Sequence, residues 1–312
     1  MTRVDIHQHL WSEPLVRALE ARRRLPFIRR ERGLTVLYLG GERPYVIDLD
    51  AEAPARRAGL AESDGLDRVL LCLSSPLGIE WLAREESVTL IDAYHHGALS
   101  LGAPFEVWGA VPLEQPDGAD VDRALELGCV GISLPAGALC SVDALSRLDP
   151  VLTRLEFHGA PLFVHPGPGG GAAAAESSLT DPLWWPAMTS YVASMQAAWL
   201  AFLTAGRSRH PELRVAFAML AALAPLHFER LSARGCAVPN LADPDVFYDT
   251  SSYGPSTVGL LEKVVGPEQI LHGSDRPVVD PRERGLPDAR EWAAIAERTD
   301  RLLGAGQLAP AL

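Results

Sequence analysis

The segment Val4-Asp5-Ile6-His7-Gln8-His9 decides how the rest of the chain is interpreted. Its apolar residues alternate with polar ones, which predicts a β-strand, and successive side chains of a strand point to opposite faces. His7 and His9 therefore share a face, with ring nitrogens close enough to bind one metal ion together. Two histidines also fall on one strand face by chance, so the metal prediction depends on further ligands elsewhere in the chain.

Seven more short apolar runs follow, and each of the eight runs is succeeded by helical sequence. The seven are Arg68–Ser74, Phe105–Val111, Cys129–Leu134, Pro161–His165, Leu213–Met219, Val246–Thr250 and Ile270–Ser274. Such runs are typical of parallel strands, which are buried on both faces. Eight βα units predict an α/β fold of the (β/α)8 TIM-barrel type, formed as a single domain by residues 1–312. The rival fold, an open doubly wound sheet, lacks support because no strand is followed by a G-x-G-x-x-G or phosphate-binding loop.

A long segment between the first two predicted strands interrupts this repetition. Within it, Leu34–Leu39 and Tyr45–Ile47 flank Gly40-Gly41-Glu42-Arg43-Pro44, a pattern that predicts a β-hairpin. An insertion after strand one of a barrel is expected to lie over the carboxyl-terminal mouth. We therefore predict that residues 22–62 form an inserted lid or specificity segment.

Composition restricts the class of protein. The chain is 47% hydrophobic and 22% charged, as in globular proteins, and its net charge of −12 disfavours nucleic acid and anionic membranes as partners. The four cysteines have no zinc-finger spacing, no apolar run approaches the ~20 residues of a membrane span, and no apolar signal segment precedes the first strand. These features predict a cytoplasmic protein that acts on a small-molecule substrate.

Catalytic groups of such barrels come from the carboxyl ends of different strands, so residues at those ends are the candidate metal ligands. His165 ends the fifth strand and Asp275 follows the eighth. The other ends carry residues that bind hard cations poorly, namely Ser74, Leu134, Met219 and Thr250. Three imidazoles and one carboxylate suit Zn²⁺, Mn²⁺ or Fe²⁺ and leave a position for water. We predict one divalent ion, with zinc preferred, bound by His7, His9, His165 and Asp275.

The arrangement resembles the amidohydrolase superfamily of metal-dependent barrels, and more closely the branch that includes aminocarboxymuconate-semialdehyde decarboxylase. That family has His-x-His on strand one, a histidine on strand five, a histidine in an H-x-G-G-type motif on strand six and an aspartate in G-S-D-x-P on strand eight. The stretch Gly273-Ser274-Asp275-Arg276-Pro277 matches the last motif closely, and the resemblance covers essentially the whole chain. It implies a metal-dependent enzyme, and a homodimer is a further expectation that rests on it alone.

Strand six departs from the family pattern. Met219 stands where the family has its histidine, the presumed acid/base beside the metal, and Ala221 and Ala222 replace the glycines that follow. A thioether cannot transfer protons and is a weak ligand for Zn²⁺. The next histidine, His227, is expected to have a surface or packing role. The metal ligands are therefore retained, whereas the acid/base on strand six is not.

This combination favours hydrolysis. Metal-activated water would attack a small cyclic or aromatic ester, lactone or amide, with Asp275 as the general base. The alternative is a nonoxidative decarboxylase of a small aromatic or enol acid, in which Asp275 alone supplies the proton. A third interpretation, from another class, is a barrel that retains metal but has little catalytic activity and acts as a binding protein, because Met219 replaces the histidine.

Four residues near the predicted mouth are candidates for substrate binding. Arg276 follows Asp275 and would hold a substrate carboxylate through two hydrogen bonds, although a salt bridge to a neighbouring loop explains it equally well. Trp11 and Trp185 would line an apolar pocket, with packing under the lid as the alternative. The hydroxyl of Tyr253 would orient a carbonyl group.

Overall fold

The computed structural model of the protein describes residues 2–170, 181–280 and 286–304. Eleven strands occur in these ranges: β1 (Val4–Gln8), β2 (Phe27–Glu31), β3 (Leu34–Tyr38), β4 (Tyr45–Ile47), β5 (Arg68–Leu71), β6 (Phe105–Gly109), β7 (Gly131–Pro135), β8 (Leu162–His165), β9 (Val215–Phe217), β10 (Val246–Asp249) and β11 (Ile270–Leu271). Strands β1 and β5–β11 form one eight-stranded parallel sheet, in which each strand pairs with the next along the chain. This order confirms the predicted (β/α)8 topology.

The sheet closes between its first and last strands. Gln8 forms a parallel bridge with Arg276, the amide of Ile6 donates to the carbonyl of His272 over 3.0 Å, and the amide of Asp275 donates to the carbonyl of His7 over 2.9 Å. Strand β11 is shorter than the predicted run Ile270–Ser274, because its regular pairing with β10 stops at Leu271. Further along, the backbone turns at Asp275, where φ is 62°. That turn aims the aspartate into the barrel mouth beside β1.

Aromatic and branched side chains from the strands fill the barrel interior. Trp108 and Phe163 stack with ring centroids 5.3 Å apart, and the indole nitrogen of Trp108 donates to the carbonyl of Ile6 over 2.9 Å. Phe217 stacks on Tyr248 in the same way. These strands lack polar alternation because both of their faces are removed from water.

Helices surround the barrel. They are α1 (Glu13–Glu20), α2 (Pro54–Ser63), α3 (Arg84–Leu99), α4 (Gly118–Glu126), α5 (Val142–His158), α6 (Trp185–Met188), α7 (Ser190–Ala201), α8 (Arg207–Arg209), α9 (Phe228–Ala233), α10 (Pro255–Val265) and α11 (Ala289–Leu303). The sequence marks several ends: the Ser141 side chain caps α5, and Asp288 and Glu291 form a capping box on α11. In the described ranges, none of these helices combines the length and apolar character needed to cross a bilayer.

The segment between β1 and β5 contains a second, three-stranded antiparallel sheet in the order β2-β3-β4. The predicted hairpin is present, with Thr35 opposite Ile47 and Leu37 opposite Tyr45. Strand β2 was not predicted, because Phe-Ile-Arg-Arg-Glu lacks alternating apolar residues and only Ile28 is fully buried. It forms through its pairing with β3, a contact that local sequence pattern does not encode.

The turn after β9 has an unusual backbone. Five successive residues with side chains, Met219 to Leu223, have φ between 49° and 62°, the left-handed region. Each such residue costs roughly 1–2 kcal/mol because its Cβ approaches the following carbonyl. Hydrogen bonds hold this turn: the amide of Met219 donates to Asp249 and to the hydroxyl of Ser251, the amide of Ala221 to the carbonyl of Ala218, and the side-chain amide of Gln196 to the carbonyl of Ala222.

Candidate metal centre

The ends of β1 and β8 bring three histidine rings together in the barrel mouth. Nε2 of His9 lies 3.2 Å from Nε2 of His165, and the rings of His7, His9 and His165 are mutually close to perpendicular, with centroids 4.9–5.2 Å apart. Oδ1 of Asp275 lies 3.2 Å from Nε2 of His9 and 3.5 Å from Nε2 of His7. The four side chains predicted from strand ends thus converge at one place.

The second nitrogen of each ring contacts a hydrogen-bond acceptor. Nδ1 of His7 lies 2.6 Å from Oδ2 of Asp249, Nδ1 of His9 lies 2.9 Å from the carbonyl of Cys72, and Nδ1 of His165 lies 2.7 Å from the carbonyl of Pro166. Because all three partners accept, Nδ1 carries the hydrogen in each neutral ring. The Nε2 lone pairs therefore point toward one another, as in metal sites whose ligands are oriented by surrounding acceptors.

These lone pairs provide a test of whether a metal ion fits. Nε2 of His7 is buried and has no hydrogen-bond partner among the described residues. Lone pairs and a carboxylate oxygen that face one another repel unless a cation lies between them, and burying an unpaired polar atom is costly. Imidazole nitrogens with one carboxylate are a donor set that divalent transition metals accept. The residues therefore fit a divalent ion.

Electrostatics in the cluster are consistent with this interpretation. Burial lowers the pKa of His7, but the charges of Asp249, Cys72 and Asp275 and the hydrogen bond to Asp249 together raise this pKa well above its usual value. For His9, burial is outweighed by the charge of Cys72 and a hydrogen bond to Asp275, which raise the pKa to about 10. Burial and the charges of His7 and His9 lower the pKa of His165 well below its usual value. His7 and His9 therefore hold protons more readily than His165 does, and the three rings are not all protonated together. A metal ion bound by the rings would replace the protons on His7 and His9.

Asp249 is a site residue that the sequence analysis missed. It is fully buried at the end of β10, where it accepts from the amides of Met219 and Ser251 as well as contacting His7. Burial raises its pKa, but His7 and these hydrogen bonds lower it further, so the carboxylate stays ionised. The sequence placed the strand end at Thr250, one residue later. Because successive side chains point to opposite faces of a strand, the one-residue shift selected a side chain on the face opposite to that of Asp249.

The sixth strand of the barrel, β9, carries no imidazole, as the sequence indicated. Met219 begins the left-handed turn directly after β9, and its amide is held by Asp249 and by the hydroxyl of Ser251. His227 is exposed at the far end of that turn, with Nε2 3.5 Å from the side-chain nitrogen of Gln196. Within the described residues, Asp275 is therefore the acid/base candidate, and it contacts His7 and His9.

The four predicted substrate residues have different surroundings. The guanidinium of Arg276 is buried and pairs with Asp64 over 2.7 Å and Asp280 over 3.2 Å, which agrees with the salt-bridge alternative. Trp11 is half-buried and lines a small cavity behind His9. Tyr253 lines a groove between α10 and α11, whereas Trp185 is 44% exposed at the start of α6. The carbonyl of Arg276 accepts from the amide of His9, but among the described residues no side chain of these four bonds to a histidine ring of the cluster, so their substrate roles stay predictions.

The tip of the inserted hairpin contacts a helix that surrounds the barrel. The hydroxyl of Tyr191, on α7, donates to Oε1 of Glu42 at the tip of the hairpin. Burial, the charge of Glu42 and the charge of Asp275 all raise the pKa of Tyr191. The contact therefore joins the tip of the insertion to α7.

Comparison with known proteins establishes the fold. No protein-family model matches the chain, and no curated protein sequence matches it. Solved structures do. IDCase from Metarhizium anisopliae matches with a TM-score of 0.76 at 16% identity, over 99% of this chain and 98% of that one. The 5-carboxyvanillate decarboxylase LigW from Sphingomonas paucimobilis gives 0.71 at 15% identity, over 97% and 99%. A 5-carboxyvanillate decarboxylase from Novosphingobium aromaticivorans, complexed with manganese and a nitrobenzoic acid, gives 0.66 at 18% identity, over 80% and 79%.

These neighbours correct the prediction of function. They are mostly metal-dependent decarboxylases, so the expectation of a hydrolase that attacks an ester, lactone or amide is wrong, and the decarboxylase alternative is the better supported one. The sequence argument failed because it treated the missing histidine on strand six as evidence against decarboxylation, although Asp275 also touches the cluster. At these identities the comparison shows the fold alone. It confirms, at the level of the fold, the resemblance drawn from the sequence: the chain has the fold of the amidohydrolase-superfamily barrels related to decarboxylases.

Proposed function

We propose that the protein is a metal-dependent, nonoxidative decarboxylase of a small aromatic or enol acid. The observation that carries this proposal is the convergence of Nε2 of His7, His9 and His165 with Oδ1 of Asp275, with each Nδ1 held by an acceptor. The activities named for the solved neighbours support the reaction class. Zinc is our preferred ion, with manganese and iron as the other ions that this donor set suits.

The four side chains would hold the ion, which when bound supplies an electrophile that orients an acidic substrate and stabilises its negative charge. The chain supplies the rest. Asp249 and the carbonyls of Cys72 and Pro166 keep the three rings in one tautomer and one orientation. The histidines are nearly inaccessible, whereas the side chain of Asp275 is 15% exposed. We infer that the substrate approaches from the side of Asp275.

Decarboxylation needs a proton as well as a site for the acid. In our scheme the carboxyl group of Asp275 gives its proton to the ring or enol carbon that bears the substrate carboxylate. The bond between that carbon and the carboxylate then breaks, its electron pair stays with the ring, and carbon dioxide leaves. Solvent water returns a proton to Asp275. Met219 takes no part, because a thioether has no proton to give.

Residues 22–62 would act as the lid of this site. Their hairpin tip reaches α7 through Glu42 and Tyr191, and closing a site excludes water from a reaction in which Asp275 protonates a carbon of the substrate. Trp11, Trp185 and Tyr253 remain candidates for the wall of the substrate pocket.

The test combines metal analysis with a product assay. Purified protein should contain stoichiometric divalent metal and release carbon dioxide from members of a hydroxybenzoate and enol-acid panel; a chelator should abolish release, and zinc or manganese should restore it. Asp275→Asn should lower kcat by about 10²–10⁴-fold. The control is Asp280→Asn, which changes a carboxylate on the same loop whose partner is Arg276.

A second variant tests the identity of the proton donor. If Asp275 supplies the proton, Met219→His should leave kcat within about threefold of the wild type, because general acid catalysis is already provided. Activity that appears only in Met219→His would overturn the scheme. Protein without bound metal, or with metal but no turnover of any acid in the panel, would overturn the proposed function.

A further inference from the structure

Cys72 lies directly after β5 with its thiol buried against the histidine cluster. Its Sγ is 3.5 Å from Nδ1 of His9 and 3.6 Å from the carbonyl of Gln8. One donor atom each from Cys72, His7, His9 and His165 lie within 4.8 Å of one another. Local sequence does not mark this residue as a ligand, because the four cysteines have no zinc-finger spacing.

A second observation links this thiol to a ligand. Nε2 of His7, in the same compact group, is buried and lacks a hydrogen-bond partner in the described part of the chain. Asp275 contacts His7 and His9 but is not a member of the compact group. The three histidines therefore have two further donors nearby, a hard carboxylate and a soft thiol.

We propose that Cys72 is a soft donor of the metal centre and gives it a preference for Zn²⁺ over Mn²⁺. The inference rests on the metal centre of the proposed function and goes beyond it by naming a fifth residue and the basis of metal choice. When the metal binds, the S–H bond of Cys72 breaks, its proton leaves to water, and a sulfur lone pair forms the bond to the ion.

Donor softness gives this proposal its direction. Thiolates favour zinc and cobalt, whereas carboxylate, carbonyl and water ligands suit manganese. A centre with imidazole and carboxylate donors alone already binds Zn²⁺ more tightly than Mn²⁺, and a thiolate donor adds to that preference. Replacing the thiol with a hydroxyl should therefore weaken zinc binding much more than manganese binding.

The experiment uses cobalt as a spectroscopic probe in the full-length protein. Metal is removed by chelation, Co²⁺ is added, and the near-ultraviolet absorption is recorded. A sulfur-to-cobalt charge-transfer band should appear in the wild type, be absent in Cys72→Ser and persist in Cys140→Ser, which alters an exposed cysteine. Competition titrations should give a loss of Zn²⁺ affinity of about 10–100-fold in Cys72→Ser, with a much smaller change for Mn²⁺.

The wild-type spectrum makes the test independent of whether Cys72→Ser folds. Stoichiometric cobalt binding without a charge-transfer band would overturn the role of Cys72 and leave the proposed function intact. An equal loss of zinc and manganese affinity in a folded Cys72→Ser protein would also overturn it. Failure of the wild type to bind any divalent ion would instead remove the metal centre, and with it the proposed function.

Discussion

Nδ1 of His7 on β1 lies 2.6 Å from Oδ2 of Asp249 on β10, and both side chains are almost completely buried. In the sheet, β11 lies between these two strands, so the contact joins strands that are not neighbours. Asp249 also accepts from the backbone of Met219 and Ser251. One carboxylate therefore orients a metal ligand and holds the strained turn after β9.

Asp249→Asn should weaken metal binding by about 10–100-fold, the usual cost of losing a partner that orients a metal-binding histidine. An asparagine side chain can present its amide nitrogen to His7 and leave the ring free to adopt the wrong tautomer. The measurement is competition for Zn²⁺ against a chromophoric chelator, with unfolding of the metal-free protein followed separately.

The matched control is Ser251→Ala, which removes a hydroxyl that donates to Asp249 without touching His7. Its metal affinity should stay close to that of the wild type. Equal affinities for Asp249→Asn and the wild type, in protein of normal fold, would show that the contact does not orient the ligand.

Much of the fold was predictable because its signals are local. Apolar runs followed by helical sequence identify a parallel barrel, and the runs end where the mouth must be. Strand β2 was not predictable in this way, since Phe27–Glu31 becomes a strand through its pairing with β3. Strand boundaries shifted by up to three residues for the same reason, because hydrogen bonds between distant strands decide where regular pairing stops.

The candidate site likewise contains residues that local sequence identifies and residues that only contacts with distant parts of the chain identify. His7, His9, His165 and Asp275 follow from strand ends and a motif, whereas Asp249 contacts the site through neighbours far away in sequence. Arg276 illustrates the converse: its position beside Asp275 suggested substrate binding, but its guanidinium pairs with Asp64, more than two hundred residues earlier. Spacing along the chain identifies residues at the mouth and does not specify their partners.

The left-handed turn makes a prediction about stability. Ala221 and Ala218 are both fully buried, but φ is 51° at Ala221 and −63° at Ala218. Glycine removes the same methyl group from each site, and at Ala221 it also relieves a strain of roughly 1–2 kcal/mol. Ala221→Gly should therefore be more stable than Ala218→Gly by about that amount in urea unfolding. Equal losses at the two positions would mean that the turn relaxes and stores no strain.

His95 should give the protein a pH-dependent stability away from the metal centre. Its ring is buried in α3, and its Nε2 accepts from the amide of Ala110 over 2.9 Å, so the neutral form is required. Burial lowers the pKa of His95 to about 4, from the ordinary 6.5. The unfolded chain then binds more protons than the folded one between these values. Stability is full above pH 6.5 and falls by about 3 kcal/mol as the pH drops toward 4.

His95→Gln should flatten this pH dependence, because the glutamine carbonyl can accept from Ala110 and does not titrate. The next residue, His96, is exposed and supplies the control, since His96→Gln should preserve the slope. The measurement is the free energy of unfolding in urea at a series of pH values, on metal-free protein so that the metal ligands contribute equally to all three samples. A slope unchanged in His95→Gln would assign the acid sensitivity to other groups.

The contact between Tyr191 and Glu42 allows the proposed lid to be tested without altering the metal centre. Tyr191→Phe removes a hydrogen bond between the hairpin tip and α7, worth about 1 kcal/mol. Amide hydrogen exchange of residues 40–47 should become faster, and KM for an acid that the wild type decarboxylates should rise because a looser lid holds it less well.

Tyr38→Phe is the matched control, since the Tyr38 hydroxyl donates to Glu31 within the same inserted sheet over 2.8 Å. If both variants exchange at the wild-type rate and bind substrate normally, the insertion does not depend on this contact for closure. If both change equally, the effect comes from the stability of the inserted sheet. A change confined to Tyr191→Phe would assign closure of the mouth to the hairpin tip, because only that variant breaks the contact between the tip and α7.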